Sequence, residues 1–536
     1  MEQMQQTMNE HSDTSQSCGV TSAPSQSCGV TSRGFVWRLI GAVLAALLLW
    51  AAFPPHSETL AILVALVPAL VIARTSAPKR TALFFFVFGL LYWILSLSWM
   101  PAIIKNNGPW PLVLLGWFAL SAACAMYFAL YGFAAAAMWR LNRAGRLPSL
   151  VCIGGEAAIW ALAEYLRATL FTGFAWNFLG TAFAAMPAFA TPARFGGVYL
   201  VSALVVLLNG VFATLFLRVF APVFGIGGGA AGRSRIAARL VHIGETGIPL
   251  AFILACLCVG NRMVRDDAAR REASPARVRV ALVQRNAPCC FKPGRRENAY
   301  EAYGRLLDAV AAVKPDIVVL AESAMAEFGA VRSPRAKDVA RKFLDRSGAK
   351  MLVAGGDDVV DGRTYNAVAL YACGDGTGVE LRGVYHKQHL VPFGEYIPFD
   401  KWITPLQKLS PVGVSLHPGE PSLFALPVGE GREVKAAPLI CYEDTDPRLS
   451  SAAKRMGADM ILLVTNDSWF SDSAEAEAHA AQAVLRAIET GLPIVRVGNS
   501  GVTGVIRPDG SAHWLSDDRG KVIVDAPGVM VETVPL

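Results

Sequence analysis

Long apolar segments fill the first half of the chain, and they restrict its possible folds more than any other feature. Seven of them precede residue 262, and the better ones reach the roughly 20 residues that a helix needs to cross a bilayer. With 53% hydrophobic and only 17% charged residues, the chain is too apolar for an ordinary soluble protein. We therefore predict a transmembrane bundle over residues 34–262. Its expected spans are 34–53, 58–74, 81–100, 111–139, 149–168, 194–217 and 246–261.

The cations in the short loops predict the orientation of this bundle, because Lys and Arg are retained on the cytoplasmic side. They cluster after the second, fourth and sixth spans, whereas the intervening loops are poorer in them. This pattern places the N-terminus inside and everything after the seventh span outside, although Arg262, Arg265, Arg270 and Arg271 argue mildly the other way. The clustered cations are Arg74, Lys79, Arg80, Arg140, Arg143, Arg146, Arg218, Arg233, Arg235 and Arg239.

The first 33 residues are polar, and they contain the string SQSCGVTS twice, at 15–22 and 25–32. They have too few apolar side chains to offset the entropy lost on ordering, so residues 1–33 are predicted to be a disordered cytoplasmic tail. The net charge of +7 is spread thinly over 536 residues, which excludes a nucleic-acid-binding surface.

Residues 277–530 differ in character, because short β-rich runs there alternate with helical patterns. This alternation predicts a layered α/β domain. Helices are expected at 298–313 and 475–489. Strands are expected at 278–284, 316–322, 350–356, 365–371, 436–443, 458–467 and 492–499.

Three motifs in this domain together suggest nucleophilic catalysis. DIVVLAES carries Glu322, VYHKQHLVPFGEYIP carries Lys387 and PLICYED carries Cys441. Each alone has a plain structural explanation: a capping carboxylate, a surface lysine and a packed thiol. Together they could form a catalytic site. A thiol is a weak nucleophile until a base removes its proton, and Glu322 could be that base. A nearby ammonium would then stabilise both the thiolate and the oxyanion that follows.

In this order and within these motifs, the three residues resemble the Glu-Lys-Cys triad of the nitrilase (carbon-nitrogen hydrolase) superfamily. The strings KQHLVPFGEYIP, PLICYED, TNDSWF, RAIETGLP and NSGVTG lie behind a bundle that contains TGFAWNFLG at 172–180. This arrangement resembles the bacterial apolipoprotein N-acyltransferases over roughly residues 35–515. The resemblance implies a polytopic helical bundle followed by a nitrilase-like αββα sandwich.

The resemblance also implies an acyl transfer through a thioester. A fatty acyl chain would pass from a membrane phospholipid to Cys441, and then to the N-terminal amine of a diacylglyceryl-cysteine apolipoprotein. Glu322 would be the general base, Lys387 would supply electrostatic stabilisation, and the N–H of Tyr442 is the expected second oxyanion donor. The bundle would lie in the bacterial inner membrane, with its catalytic domain in the periplasm.

Other residues are expected to support the triad. By resemblance, Glu395 is a second carboxylate near Lys387, while Tyr442 and Glu443 shape the pocket of the nucleophile. His479 and the Asn466-Asp467 pair are expected to be structural. No His/Cys/Asp cluster has metal-ligand spacing and no Gly-rich turn joins a strand to a helix, so neither a metal nor another cofactor is expected.

Two loops have alternative interpretations. The aromatic-rich stretch 393–413 could be a lid that opens toward the bilayer, and 172–180 could lie at the same interface, or both could be ordinary packed loops. A disulfide from Cys289 or Cys290 to Cys373 is left open.

The chain departs from the family pattern in several places. Leu320 and Ala321 stand where relatives have Trp and Pro, and Ser471 stands where they have Gly. The final helix usual in the family is missing after DAPGVMVETVPL, so this member is expected either to be anchored by its N-terminal bundle alone or to have a different role.

Two other functions remain open from the sequence. One is a membrane-tethered amidase that hydrolyses a small C–N substrate. The other is a catalytically silent lipid-binding or assembly protein, which would tolerate loss of the Cys441 thiol.

Overall fold

The structure is a computed structural model that describes residues 32–106, 108–220, 235–288, 298–374, 378–398, 415–428 and 432–536. The chain divides into two compact units, Met1–Ile40 and Gly41–Leu536, and every strand belongs to the second. Residues 1–31 of the predicted tail lie outside the described residues, whereas Ser32 already begins the first helix.

The first half of the described chain is helical. Six of its helices, α1, α3, α5, α6, α7 and α8, are long and apolar enough to cross a membrane, judged by length and composition. The helices are α1 (Ser32–Ala51), α2 (Val67–Thr75), α3 (Pro78–Ser96), α4 (Ala102–Lys105), α5 (Trp110–Arg143), α6 (Ser149–Thr169), α7 (Ala193–Phe220) and α8 (Arg235–Ala273).

The predicted second span, 58–74, is not one long helix. It consists of the 3-10 segment Thr59–Leu63 followed by α2, whose first turn holds Pro68. A proline inside a helix removes a backbone donor and clashes with the preceding turn, so the helix starts again at this point. The described residues therefore contain six full-length candidate spans where seven were predicted. The last of them, α8, is much longer than the predicted 246–261.

The described residues of the second half form two six-stranded mixed sheets. Their strand orders are β12-β1-β2-β3-β4-β5 and β11-β10-β9-β8-β7-β6. The strands of the first sheet are β1 (Arg277–Gln284), β2 (Ile317–Leu320), β3 (Met351–Val360), β4 (Arg363–Cys373), β5 (Val379–His386) and β12 (Gly528–Pro535). Those of the second are β6 (Phe424–Val428), β7 (Arg432–Ile440), β8 (Met460–Thr465), β9 (Ile494–Gly498), β10 (Gly504–Ile506) and β11 (Ala512–Trp514).

Helices cover the outer face of each sheet. Helices α9 (Ala299–Ala311) and α10 (Pro334–Ser347) pack on the first sheet, and α11 (Pro447–Arg455) and α12 (Glu475–Thr490) pack on the second. Fully buried aliphatic side chains from both sheets meet in the layer between them. The predicted αββα sandwich behind a helical bundle is thus confirmed.

The strand directions bring two of the candidate residues to the carboxyl edges of the parallel strands. β1, β2 and β3 are parallel in one sheet, and β7, β8 and β9 are parallel in the other. Side chains that follow parallel strands gather at the carboxyl edge of a sheet, which is where open α/β sheets bind their ligands. Glu322 follows β2 and Cys441 follows β7 in this way, while Lys387 follows the antiparallel β5.

Candidate active site

A buried lysine lies at the centre of the site, between two carboxylates. Lys387 Nζ is 2.8 Å from Glu395 Oε1 and 3.9 Å from Glu322 Oε1, and the lysine is only 1% exposed. Burial opposes its charge, but Glu395 and Glu322 outweigh burial and raise the pKa of Lys387 above its usual value. Lys387 is therefore an ammonium ion throughout the neutral pH range.

Asn366 joins the two carboxylates, and sequence reasoning missed it. Its Nδ2 donates at 2.7 Å to Glu322 Oε1 and at 2.7 Å to Glu395 Oε1. Strand pairing places it there, because the backbone N–H of Lys387 donates to the Asn366 carbonyl at 2.9 Å. The only available signal was its position in the predicted strand 365–371, which does not reveal the cross-strand partner.

Glu322 is suited to exchange a proton near neutral pH. It is 8% exposed, and burial, opposed by Lys387, raises the pKa of its carboxyl to about 7. A general base works best when its pKa lies near the working pH. The backbone beside it is tightly packed: a Cβ placed on Gly355 would lie 2.6 Å from Glu322 Cα, so only glycine fits there.

Cys441 begins the 3-10 turn Cys441–Thr445 that follows β7, and its φ of 51° is unusual for a residue with a side chain. Burial and the nearby Glu322 raise the pKa of its thiol well above the usual value, while Lys387 lowers it. At rest the sulfur therefore carries its proton. A nucleophilic thiolate forms only when a neighbouring base accepts that proton.

Glu443 ties the nucleophile turn to the loop that carries Lys387. Its carboxylate accepts hydrogen bonds from the Tyr385 hydroxyl at 2.8 Å and 2.9 Å, from Ile440 N at 2.7 Å and from Gln388 N at 2.6 Å. It is completely buried. Glu443 therefore connects the nucleophile turn to the Lys387 loop in the interior of the domain, and it is not exposed to a substrate.

Tyr442 faces the helical bundle. Its ring stacks on Phe174 with centroids 6.5 Å apart and meets His389 edge-on at 5.4 Å. Phe174 belongs to the loop 172–180, whose Trp176 is 2% exposed and packs 5.9 Å from the ring of His479. Phe174 and Trp176 are therefore packed between the bundle and the catalytic domain. Residues 399–413 of the predicted lid, 393–413, lie outside the described residues.

Asp467 and His479, which were expected to be structural, lie next to the nucleophile. Ligating atoms of Cys441, Asp467 and His479 are all within 4.8 Å of one another. His479 Nε2 bonds to Asp444 Oδ1 at 2.9 Å and its Nδ1 bonds to Asp467 Oδ1 at 3.0 Å. Carboxylates only accept hydrogen bonds, so both ring nitrogens carry protons and neither has a lone pair to offer a metal.

Among the described residues, Cys373 has no disulfide partner. Its candidate disulfide partners, Cys289 and Cys290, lie outside the described residues.

Comparisons with known proteins cover both halves of the chain. The family described as apolipoprotein N-acyltransferase N-terminal domain matches residues 45–211, and the carbon-nitrogen hydrolase family matches 279–528. The apolipoprotein N-acyltransferase of Brucella suis biovar 1 is 30% identical over 490 residues, which cover 87% of this chain and 82% of that protein. The same enzyme of Geobacter metallireducens is 29% identical over 89% of this chain and 86% of its own length. Among solved structures, an amidase from Nesterenkonia sp. AN1 gives a TM-score of 0.35 at 17% identity, covering 48% of this chain and 93% of the amidase.

Proposed function

The chain belongs to the apolipoprotein N-acyltransferase family, and we propose that Glu322, Lys387 and Cys441 carry out its reaction. This membership confirms the resemblance inferred from the motifs: the protein is an acyltransferase of lipoproteins with several membrane spans. One observation supports the assignment of the three residues. The buried ammonium of Lys387 lies between the carboxylates of Glu322 and Glu395, and its positive charge opposes the burial that raises the pKa of the Cys441 thiol.

In the first half-reaction we place the acyl chain on Cys441. Glu322 accepts the thiol proton, and the sulfur attacks the ester carbonyl carbon of a membrane phospholipid. A C–S bond forms, the C–O bond to glycerol breaks, and Glu322 returns the proton to the leaving glycerol oxygen. The oxyanion of the tetrahedral intermediate is stabilised by Lys387 and by the N–H of Tyr442, the donor just past the nucleophile.

The second half-reaction uses the same groups. The free α-amine of a diacylglyceryl-cysteine lipoprotein attacks the thioester carbonyl, a C–N bond forms and the C–S bond breaks. Glu322 takes the proton that the amine loses and returns it to the sulfur. A carboxyl with a pKa of about 7 suits both directions of transfer, because it binds and releases a proton at little cost near neutral pH.

The attachment of this site to a bundle follows from its substrates. Moving an acyl chain from lipid to water costs about 0.8 kcal/mol per methylene group, so the carbonyl must react at the bilayer surface. The contacts of Tyr442 with Phe174 of the bundle loop 172–180 support this location, because they place the nucleophile turn directly beside the helical half.

We propose that the catalytic domain lies on the opposite side of the membrane from the N-terminus, in the periplasm. Six spans alone would return it to the cytoplasm, so the broken segment Thr59–Thr75 must also cross. Its mixed 3-10 and α-helical rise gives roughly 25–30 Å, close to the thickness of about 30 Å of a hydrocarbon core. The loop cations cluster after every second predicted span, and this pattern favours the same odd number of membrane crossings.

The contacts of Asn209 on α7 support this crossing. Its Oδ1 accepts a hydrogen bond from Leu66 N at 2.9 Å, and its Nδ2 donates to the Ile62 carbonyl at 3.0 Å. These are backbone groups at the break between the 3-10 segment and α2. An interrupted helix is tolerated within a bilayer only where protein groups satisfy its freed backbone in this way.

Impermeant thiol labelling of spheroplasts tests the orientation. The exposed Cys373 should react in intact spheroplasts, whereas Cys18 and Cys28 of the tail should react only after permeabilisation. Labelling of the tail cysteines but not of Cys373 in intact spheroplasts would invert the proposed topology.

A transfer assay tests the proposed activity. The purified full chain is incubated with phospholipid vesicles and a peptide that bears an N-terminal diacylglyceryl-cysteine, and mass spectrometry follows the peptide. The mass of one added acyl chain is expected for the wild type and for the matched control Cys373→Ala, but not for Cys441→Ala. A peptide with an acetylated amine should remain unmodified. Acylation by Cys441→Ala at the wild-type rate would refute the role of the thiol.

A further inference from the structure

Behind the nucleophile turn, four buried side chains of alternating charge form a closed ring, here called the charge ring. Its members are Asp444, His479, Asp467 and Arg496, and none is more than 4% exposed. His479 bonds to both aspartates, as described above. Arg496 closes the ring, with Nη1 3.1 Å from Asp444 Oδ2 and Nη2 3.1 Å from Asp467 Oδ2.

The ring holds two negative and two positive charges. His479 is an imidazolium because both its nitrogens bond to carboxylates. Burial opposes this charge, but Asp444 and Asp467 outweigh burial and the neighbouring Arg496, and they raise the pKa of His479 to about 10. The same two cations lower the pKa of Asp467, although burial opposes them, so Asp467 is ionised.

Two members of the charge ring lie close to the nucleophile. Asp467 and His479 each place a polar atom within 4.8 Å of the Cys441 sulfur. The register of β7 and β8 pairs Ile440 with Val464 and so places Cys441 beside Thr465, whose hydroxyl donates to Asp467 Oδ1 at 2.8 Å. A negative charge at Asp467 opposes the formation of a thiolate, whereas a positive charge at His479 favours it.

We propose that His479 and Asp467 are positioning residues that set the electrostatic potential at Cys441, with the imidazolium of His479 offsetting the carboxylate of Asp467 so that a thiolate can form beside it. The turn that carries the nucleophile also carries Asp444, and this residue holds the imidazolium in place. The inference rests on the proposed role of Cys441 as the nucleophile.

Charged groups from several elements lie near the nucleophile turn. Glu322 and Lys387 approach from the other sheet with opposite charges. Glu475 contributes no charge, because burial and Asp467 raise its pKa well above the usual value and keep it protonated. The groups are Glu322 after β2, Lys387 and Glu395 beyond β5, Asp444 and Glu443 on the turn itself, Asp467 after β8, Glu475 and His479 on α12, and Arg496 on β9.

Two substitutions that remove charges of opposite sign test the inference. His479→Gln removes the positive charge and should raise the pH midpoint for thiolate formation, whereas Asp467→Asn removes the negative charge and should lower it. At this separation each shift should be about one pH unit or more, which changes the reaction rate of the thiol about tenfold below its midpoint. The rate of Cys441 alkylation by iodoacetamide is measured against pH, in the detergent-solubilised full chain, by mass spectrometry of the Cys441 peptide.

Controls separate charge from misfolding. The exposed Cys373 serves as an internal standard, and the buried Cys152 should stay unmodified in every folded sample. His513→Gln is the matched control, because it removes an exposed histidine that pairs with Glu532. If His479→Gln does not fold, the expected acceleration in Asp467→Asn still decides the question.

Opposite shifts of the two midpoints support the inference. It is overturned if both variants shift in the same direction, or if folded Asp467→Asn keeps the wild-type midpoint. Alkylation needs no lipid, so this result is independent of the proposed function. Opposite shifts in a protein that never acquires an acyl chain would keep the electrostatic role and remove the acyltransfer role of Cys441.

Discussion

Replacing Asn366 by alanine should move the pH dependence of the first half-reaction. Glu322 can act as a base only when ionised, so acylation of the wild type should rise with pH and reach half of its maximum near the Glu322 pKa of about 7. Asn366 donates to this carboxylate at 2.7 Å, and it donates equally to Glu395. Hydrogen bonds to the ionised form lower a pKa, so removing this donor should raise that of Glu322.

The size of the shift follows from the strength of the bond. A hydrogen bond to a charged group contributes about 1.5–3 kcal/mol, and 1.36 kcal/mol corresponds to one pKa unit, so the midpoint should rise by about one to two units. At about pH 7 the ionised fraction of Glu322 would then fall from about one half to between about one tenth and one hundredth. Acylation should therefore slow about 5- to 50-fold at that pH and recover about two units higher.

The assay is the rate at which phospholipid acylates the protein, followed by intact mass over a series of pH values. Asn298→Ala is the matched control, because Asn298 caps α9 by accepting from Tyr300 N at 3.0 Å, away from the site. It should cost about 1 kcal/mol of stability without moving the midpoint. A uniform loss of rate at every pH in Asn366→Ala, with an unchanged midpoint, would refute this account of Glu322.

Three further substitutions have defined outcomes. Lys387→Gln should slow adduct formation at least about 100-fold and lower the free energy of unfolding by roughly 3–5 kcal/mol, since it leaves two buried carboxylates without their cation; intact mass and denaturant unfolding measure the two effects. Gly355→Ala should displace Glu322 and reduce the acylation rate, whereas Gly378→Ala, which meets open space, should not. Asn209→Leu should lower the melting temperature in detergent, because each backbone group that it leaves unpaired costs about 1–3 kcal/mol. An unchanged melting temperature would contradict the proposed role of Asn209.

The layered fold was predictable because its central strands are short apolar runs that end in polar residues. The seven predicted strands all occur, whereas β5, β6 and the C-terminal strands β10, β11 and β12 were missed. Strand β5 lies at the edge of its sheet and keeps several half-exposed side chains, so its apolar pattern is weak. Helix α10 was also missed, although Ser333 caps it and Pro334 begins it.

The candidate site could be predicted only in part. Glu322, Lys387 and Cys441 stand in local motifs, so sequence alone could single them out. Asn366 has no motif of its own, and its role depends on the pairing of β4 with β5. His479 looked structural because its partners are distant in sequence, and only the folded chain brings it to Cys441.

The formation of a thioester on Cys441 is the central claim, and intact mass spectrometry tests it most directly. Purified wild type, Cys441→Ala and Glu322→Gln are incubated with phospholipid, and each is then treated with hydroxylamine, which cleaves thioesters. We predict a hydroxylamine-labile fatty-acyl adduct on the wild type, none on Cys441→Ala and a strongly reduced amount on Glu322→Gln. No adduct on folded and reduced wild type, or an equal adduct on Cys441→Ala, would contradict the account.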